Sequence, residues 1–456
     1  MKIVFMSSNA VAQNRISEVV GYLLDKGNFN TSTENLPPII AILGEANTAN
    51  QSGLSTAPYQ ITSAQQAGAA YGYGSPIHSA ARILFPLSGG GVSCPVIVYP
   101  QASSGAVANV QTITVTGTAT GNGTVYVNVA GRSILDGASY AVNILTGDTP
   151  TAIGTKISNA INASLGAPTT AAPVAGVVTC TAKWTGLTTQ DIKISVDTGV
   201  TATGCTFAIA QTVAGTGTPA VTTSLNMFGS QWNNIVLNTY GLVSATIGEL
   251  ETFNGGPDPI NPTGRFSGIT FKPLVALCGT LLDDPTTITG VSARKTQCTI
   301  VACPAPLSQG LSYEAAANVA VLLSNILASS PHLDVMNSDY PDMPMPLNGV
   351  VPAMTDYNVR DTYVKAGCST VDVSAGVYKI KDLVTTYRPD GETPPQYRYV
   401  RDLFIDFNIE YGWKLRVKSK FVAHTLCDDN ATVTADNIVK PKMVVAEGYS
   451  YAIELS

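Results

Sequence analysis

This chain is poor in charge. Its 456 residues include 25 Lys or Arg and 31 Asp or Glu, 12% together, where an ordinary soluble domain carries about 25%. A chain so poor in charge is expected to hide much of its surface against other copies of itself or against partners. The net charge of -6, without any run of Lys and Arg, argues against a nucleic-acid binder, whose basic face must track phosphates. Long apolar runs are missing too. Ile3 to Met6 is too short for the core of a signal peptide, and nothing approaches the roughly 18 residues of a membrane span. The expectation is a protein kept in the cytoplasm until release, with no membrane insertion.

Chemistry-bearing constellations are equally scarce. The three histidines are His78, His332 and His424, and no G-x-S-x-G elbow offers a nucleophile for them. Gly72 and Gly74 precede a helix start at Pro76, but they follow a helix and not a strand and lack a third Gly, so they do not form a dinucleotide loop. Asp334, Asp339 and Asp342 lack calcium-loop spacing. The eight cysteines include no C-x-x-C pair, which suits neither a zinc cluster nor a disulfide framework. They read as buried thiols acting as small hydrophobes, with disulfides between subunits after lysis as the alternative. No catalytic residue, metal site or cofactor is expected.

What is present divides the chain. Its length exceeds the roughly 250–300 residues one core supports, so two or three domains are expected. Residues 1–36 read as an arm: Ile16, Val19, Val20, Leu23 and Leu24 follow a helical stripe between Asn14 as cap and Gly27 as stop. From Pro38 the order is strand (IIAILGE), a helix opened by Thr62 or Ser63, a helix with Ser75 as cap and Pro76 at its first position, and strand (CPVIVYP). This α/β layer resumes after residue 221, with strands at Asn234–Leu237, Phe271–Cys278 and Cys298–Pro304 and a helix at Ser312–Ala328. It is assigned residues 37–105 and 221–347. Between its halves, residues 106–220 are rich in Thr, Gly, Val and Ala. They carry two alternating strands around the Gly121-Asn122-Gly123 turn, the sequence sign of a hairpin. A helix capped by Thr149 follows, with Ile153, Ile157, Ala160 and Ile161 as its stripe. Further strands lie in VVTCTAKW, DIKISVD and CTFAIAQTV. The fold class is therefore α/β (α+β) and multidomain: an α/β core with an inserted β-rich, sandwich-like domain and a C-terminal α+β domain over 348–456.

That last region is the most specific. A strand is expected around Ile380, Leu383, Thr385 and Tyr387, then a turn at Arg388–Gly391, then a long helix whose apolar face is Val400, Leu403, Phe404, Phe407 and Tyr411. Arg398 precedes Asp402 by four residues, and Glu410 precedes Lys414 by four, so ion pairs can line the opposite face. The chain closes on HTLCDDN and IVKPKMVVAE. This ordered series, quoted as Lys381 to Tyr387, Phe421, His424, Leu426, Asp428, Asp429, Ile438 to Lys442 and Glu447, together with NGVVP (348–352) and AGCST (366–370), resembles the C-terminal region of contractile tail sheath proteins of the phage Mu type. GDTPTAIGTKISNAINA and AGVVTCTAKW extend the resemblance into the β-rich insert.

The resemblance implies a structural subunit, not an enzyme. Its copies would polymerise as stacked hexameric rings around a tail tube and contract to drive that tube through a cell envelope, in a virion tail assembled in the host cytoplasm. Implied partners are other copies, the tail tube protein, and the baseplate and tail terminator proteins. Sheaths of this kind are linked by terminal arms, for which Ile16, Val19, Val20, Leu23, Leu24, Tyr449, Tyr451 and Ile453 are candidates. Arg398, Arg401, Lys414, Arg416, Lys418 and Lys420 are candidates for a weak electrostatic grip on the tube, the alternative being an exposed face with local ion pairs. The N-terminal helix departs from the extended arm usual in the family. So does the short stretch after IVKPK, where the family continues into a helix and a strand-forming tail. The rival readings are a secreted adhesin or carbohydrate-binding protein, suggested by the Thr- and Gly-rich segment, and a cytoplasmic enzyme.

Overall fold

A computed structural model describes residues 35–103, 106–131, 140–199, 203–258, 260–267, 271–389, 397–421, 424–432 and 437–455. The N-terminal helix expected around Ile16–Leu24 and most of the turn after Pro389 lie outside these residues. The protein is mixed α/β, with five sheets and ten α-helices among the described residues.

The first unit begins β1 (Ile40–Glu45), β2 (Tyr59–Ile61), α1 (Ala64–Tyr71), α2 (Pro76–Leu84) and β3 (Val96–Gln101). Ser63 and Ser75 cap the two helices, each accepting from the backbone N–H three residues on, and Pro76 opens α2. Next come β4 (Val110–Thr116), β5 (Gly123–Val129), β6 (Ala141–Ile144), α3 (Pro150–Ala163), β7 (Thr169–Val174), β8 (Val177–Ala182), β9 (Ile194–Asp197) and β10 (Thr206–Val213). The chain then runs α4 (Thr222–Asn226), β11 (Ile235–Asn238), α5 (Ser244–Asn254), β12 (Val275–Thr280), α6 (Thr289–Ser292), β13 (Ile300–Pro304) and α7 (Ser312–Ser329).

The central sheet has the order β13-β12-β11-β1-β3-β2. Its first five strands are parallel, and only β2 is antiparallel. The five parallel strands are buried at every residue, as a sheet covered on both faces must be. Ile40, Ile42, Val96 and Leu277 face α1, α2 and α7, whereas Ala41, Leu43, Ile97 and Ala276 face α4 and α5.

The β-rich segment forms two sheets around a core of its own, β10-β4-β8-β7 and β6-β5-β9, with α3 packed among them. One expectation fails here. β4 and β5 are not hairpin partners: β4 pairs with β8 and β10, while β5 pairs with β6 and β9. Each strand buries one row: Ile113 and Val115 on β4, beside Gln111, whose side chain donates to Ile192 O, and Val125, Val127 and Val129 on β5. Facing these rows across a sandwich buries both, whereas laying them side by side would need another layer to cover them. The turn at Gly121–Gly123 therefore carries the chain from one sheet to the other.

This segment is fixed to the central unit by buried contacts. Its two stems meet in an antiparallel bridge, Val107 N–H to Thr216 O at 3.0 Å and the reverse at 3.1 Å. Lys193 Nζ donates to Ser308 O (2.5 Å) and Asp191 accepts from the Ser312 N–H (3.3 Å) at the start of α7. Leu311 and Tyr313 of that same helix entrance are buried within the segment's core, Tyr313 edge-on to Trp184. At the carboxyl end of β1, Glu45 is 2% exposed and accepts from Thr185 Oγ1 at 3.4 Å. Burial pushes its carboxyl up to about 7.

The remaining chain adds β14 (Asp339–Tyr340), α8 (Tyr357–Lys365), β15 (Thr370–Ser374), β16 (Val377–Asp382), α9 (Val400–Phe421), β17 (Thr425–Leu426), β18 (Ile438–Val439) and α10 (Pro441–Leu455). The strand expected through Tyr387 stops at Asp382. Beyond it, Thr386 N–H donates to Ile300 O (3.0 Å) and Thr386 Oγ1 to Gln297 O (2.9 Å). The β-branched residues after Leu383 thus cover the free edge of β13 instead of prolonging β16.

Candidate assembly surface

α9 is anchored by the stripe read from its sequence. Val400, Leu403, Phe404 and Phe407 are buried, with Tyr411 half-buried. Phe407 joins a ring cluster with Trp232, Phe266 and Phe271, centroids 6.2–6.3 Å apart. Asn408, also buried, accepts from the Leu36 N–H at 2.7 Å, so the chain segment preceding the central sheet starts beside α9.

The six cations assigned to a tube contact are placed very differently from one another. Arg398 is 1% exposed and donates to Val364 O; burial pushes its guanidinium down to about 10. It precedes α9 and makes no ion pair with Asp402 among the described residues, contrary to the i,i+4 expectation, because its side chain points into the core. Arg401 instead approaches Asp334 (3.5 Å) and Asp402 (3.3 Å). Lys414 donates to Phe271 O at 3.0 Å, lies 3.9 Å from Glu410 as its spacing predicts, and sits over the rings of Trp232 and Phe271. Arg416 reaches Glu447, Glu454 and Ser450 of α10, and Lys420 reaches Glu447 at 2.6 Å. Donating to Glu454 and Glu447 pushes the Arg416 guanidinium up, while hydrogen bonds from Lys420 and Arg416 hold the Glu447 carboxyl down and those from Arg416 hold down Glu454. Lys418 is exposed and has no ion-pair partner among the described residues.

The motifs HTLCDDN and IVKPK are physically one unit. Thr425 N–H donates to Asn437 O and Cys427 N–H to Val439 O, both at 2.9 Å, making the short parallel pair β17–β18. Asp429 accepts from the Lys442 N–H at 2.9 Å, which satisfies a free donor in the first turn of α10, and Lys440 Nζ donates to Ala431 O at 2.6 Å. Pro441 opens the helix. The spacing of these motifs is thus set by a cap and a strand pair.

α10 itself is barely buried. Of its fifteen residues only Tyr451 is in the interior. Its hydroxyl donates to Ile409 O at 2.9 Å and its ring lies against Trp413 and beneath Arg416. Gly412 makes room for it, since any Cβ there would collide with the Tyr451 hydroxyl. Tyr449 and Ile453, the other two C-terminal arm candidates, point outward at 70% and 73% exposure. With Val445 they form an exposed apolar stripe at steps of four, and Leu426 of β17 is equally exposed. Tyr451 therefore holds α10 down, while its two neighbours face solvent. The sequence reading missed the Arg416 latch, although Glu447, Ser450 and Glu454 recur at three and four residues along one helix face. The arm candidates Ile16, Val19, Val20, Leu23 and Leu24 lie outside the described residues.

Among the described residues no group of His, Cys, Asp and Glu could hold a metal ion, and no helix is long and apolar enough to cross a membrane. No protein-family model matches the chain. A curated relative, the tail sheath protein of the Mu-like prophage FluMu of Haemophilus influenzae, is 23% identical over 374 residues, 79% of this chain and 71% of the relative. The solved structure of a sheath tail protein from Desulfitobacterium hafniense aligns over 95% of this chain and 88% of its own, at 12% identity and a TM-score of 0.41. The sequence relationship is to a structural component of phage tails, not to an enzyme.

Proposed function

We propose that this chain, a relative of the Mu-type tail sheath proteins, is the repeating subunit of a contractile sheath that stacks as hexameric rings around a tail tube and shortens to drive the tube through a target envelope. The observation that carries the reading is the C-terminal surface. A two-stranded sheet, β17–β18, to which no third strand is paired among the described residues, leads directly into α10 with its exposed apolar stripe. Such an edge accepts an extended segment of a neighbour by backbone hydrogen bonds, and the stripe gives that segment something to bury. In this reading residues 37–105 with 221–347 and residues 348–456 are the load-bearing domains, 106–220 is an insertion, and 1–36 is an arm reaching a neighbouring subunit. Other partners would be the tube, baseplate and tail terminator proteins, in a virion tail assembled in the host cytoplasm.

Contraction would draw on differential burial between two packings of the subunit. At about 25 cal/mol per Å², about 400 Å² of extra apolar burial corresponds to roughly 10 kcal/mol per subunit before entropic losses. The tube contact narrows to Lys418, with Arg401 and Lys420, themselves exposed, able to exchange partners; exposed pairs are individually worth about 0–1 kcal/mol, which suits a sleeve that must slide.

The test is negative-stain electron microscopy of the full chain purified from a bacterial cytoplasm. Hollow striated tubes of uniform width are expected, with Tyr449→Lys and Ile453→Lys together abolishing them while the fold is kept. Discrete particles from the unaltered chain at high concentration would overturn the reading.

A further inference from the structure

The sheet β10-β4-β8-β7 has two edges, and they are treated differently. On β7, the Asn162 side chain of α3 accepts from the Ala171 N–H at 2.9 Å and donates to Ala171 O at 2.7 Å, and Ser158 Oγ donates to the same carbonyl at 2.7 Å. Pro173 removes another donor from that strand. These are the devices by which a protein keeps a strand edge from recruiting another chain.

On β10 neither a side-chain cap nor a proline is present, and its one irregularity, a register shift between Gln211 and Val213, lies at its far end. It is the longest strand, eight residues, and seven of the eight are exposed. It carries no charge and no proline, and Ile209 and Val213 are 39% and 40% exposed. Among the described residues its hydrogen bonds run only to β4 and to Asn109. A chain that caps one edge of a sheet and leaves the longer edge bare is expected to use the bare one.

We propose that β10 is a docking edge for β10 of a second copy of this chain, paired antiparallel about a two-fold axis. Length argues for this occupant: every other uncapped edge strand among the described residues has five residues or fewer, so only β10 can match β10 along its regular run, Thr206–Gln211. Charge argues for it too, because an uncharged strand meets its own copy without like-charge repulsion. Small Ala208 and Ala210 flank Ile209 and allow close approach. A two-fold contact closes on itself and does not propagate, so it pairs free subunits and is independent of the contacts that build a sheath.

The test uses the full chain, on the unassembled pool left after any polymer has been pelleted. Mass photometry should show dimers. Ile209→Lys should weaken the dimer by about tenfold or more, whereas Ile209→Thr, which keeps β propensity, should leave it intact. In an oxidised Cys scan of Ala208, Ile209 and Ala210, the position nearest the axis should cross-link to itself, with the unaltered chain as control for Cys94 and Cys427. A monomeric unaltered chain would overturn the proposal, as would a dimer indifferent to Ile209→Lys, or cross-links from the scan to a native cysteine of the second copy. Tube formation by Ile209→Lys should be unchanged, so this proposal and the sheath reading fail by different observations.

Discussion

Two pieces of this molecule are attached to the same central body by opposite means. The β-rich segment is joined through groups withdrawn from water: Leu311 and Tyr313 enter its core, Lys193 caps Ser308 O, and Glu45 meets Thr185 with almost no exposure. The terminal helix α10 is joined at the surface, by Arg416 and Lys420 to Glu447 and Glu454 and by one buried tyrosine. Burial holds irrespective of salt, whereas exposed ion pairs are screened by it. The first attachment is suited to permanence and the second to release, the property an element needs if it is to re-dock on a neighbour.

The largest effect should come from the buried attachment. Tyr313→Ala is expected to destabilise the protein by about 3–5 kcal/mol, seen as a lower denaturation midpoint for the central unit and the β-rich segment together; separate transitions for the two would show that they are not coupled through α7.

Glu45 should give the attachment a pH signature. Its folded pKa of about 7 lies above the ordinary 4.5, so the folded state binds the proton more tightly. Stability should therefore fall as pH rises from about 4.5 to 7 and level off above. Glu45→Gln should flatten that slope and gain on the order of 3 kcal/mol over the unaltered chain at pH 8, measured by urea titration at several pH values. An unchanged slope would remove Glu45 from the account.

Arg416→Met should act only on the surface attachment. Amide exchange along α10 should quicken while α7 stays protected, and high salt should reproduce the effect in the unaltered chain. Equal acceleration in both helices would contradict the contrast. Smallest of all, Tyr451→Phe removes the bond to Ile409 O and should cost α10 about 1 kcal/mol of local stability, read by the same exchange experiment.

Much of this was legible in the sequence wherever neighbours in the chain decide the outcome. Ser75 and Thr149 cap the helices they were assigned, Ser63 is the one of two candidates that caps α1, and the stripes of α3 and α9 face the cores their periodicity requires. What escaped depends on groups far apart in the chain. No local rule places Arg398 in the interior or sends Thr386 to the edge of β13. The partners of Arg416 lie thirty-one and thirty-eight residues away. β4 and β5 part because two apolar rows needed covering, which no turn signal records. β2, β6 and β7 were too short or too mixed in pattern to stand out.

The bridge between Val107 and Thr216 has a consequence for how such a chain can vary. Because the two stems are already paired where they leave the central unit, everything beyond them can be lengthened, replaced or lost without moving the strands they grow from. The constraint lies elsewhere, at Leu311 and Tyr313, which any substitute would have to cover or which would have to become polar in the same step. Descent should therefore tie the entrance of α7 to whatever hangs from those stems, so that two stretches of gene a hundred codons apart are inherited as a matched pair.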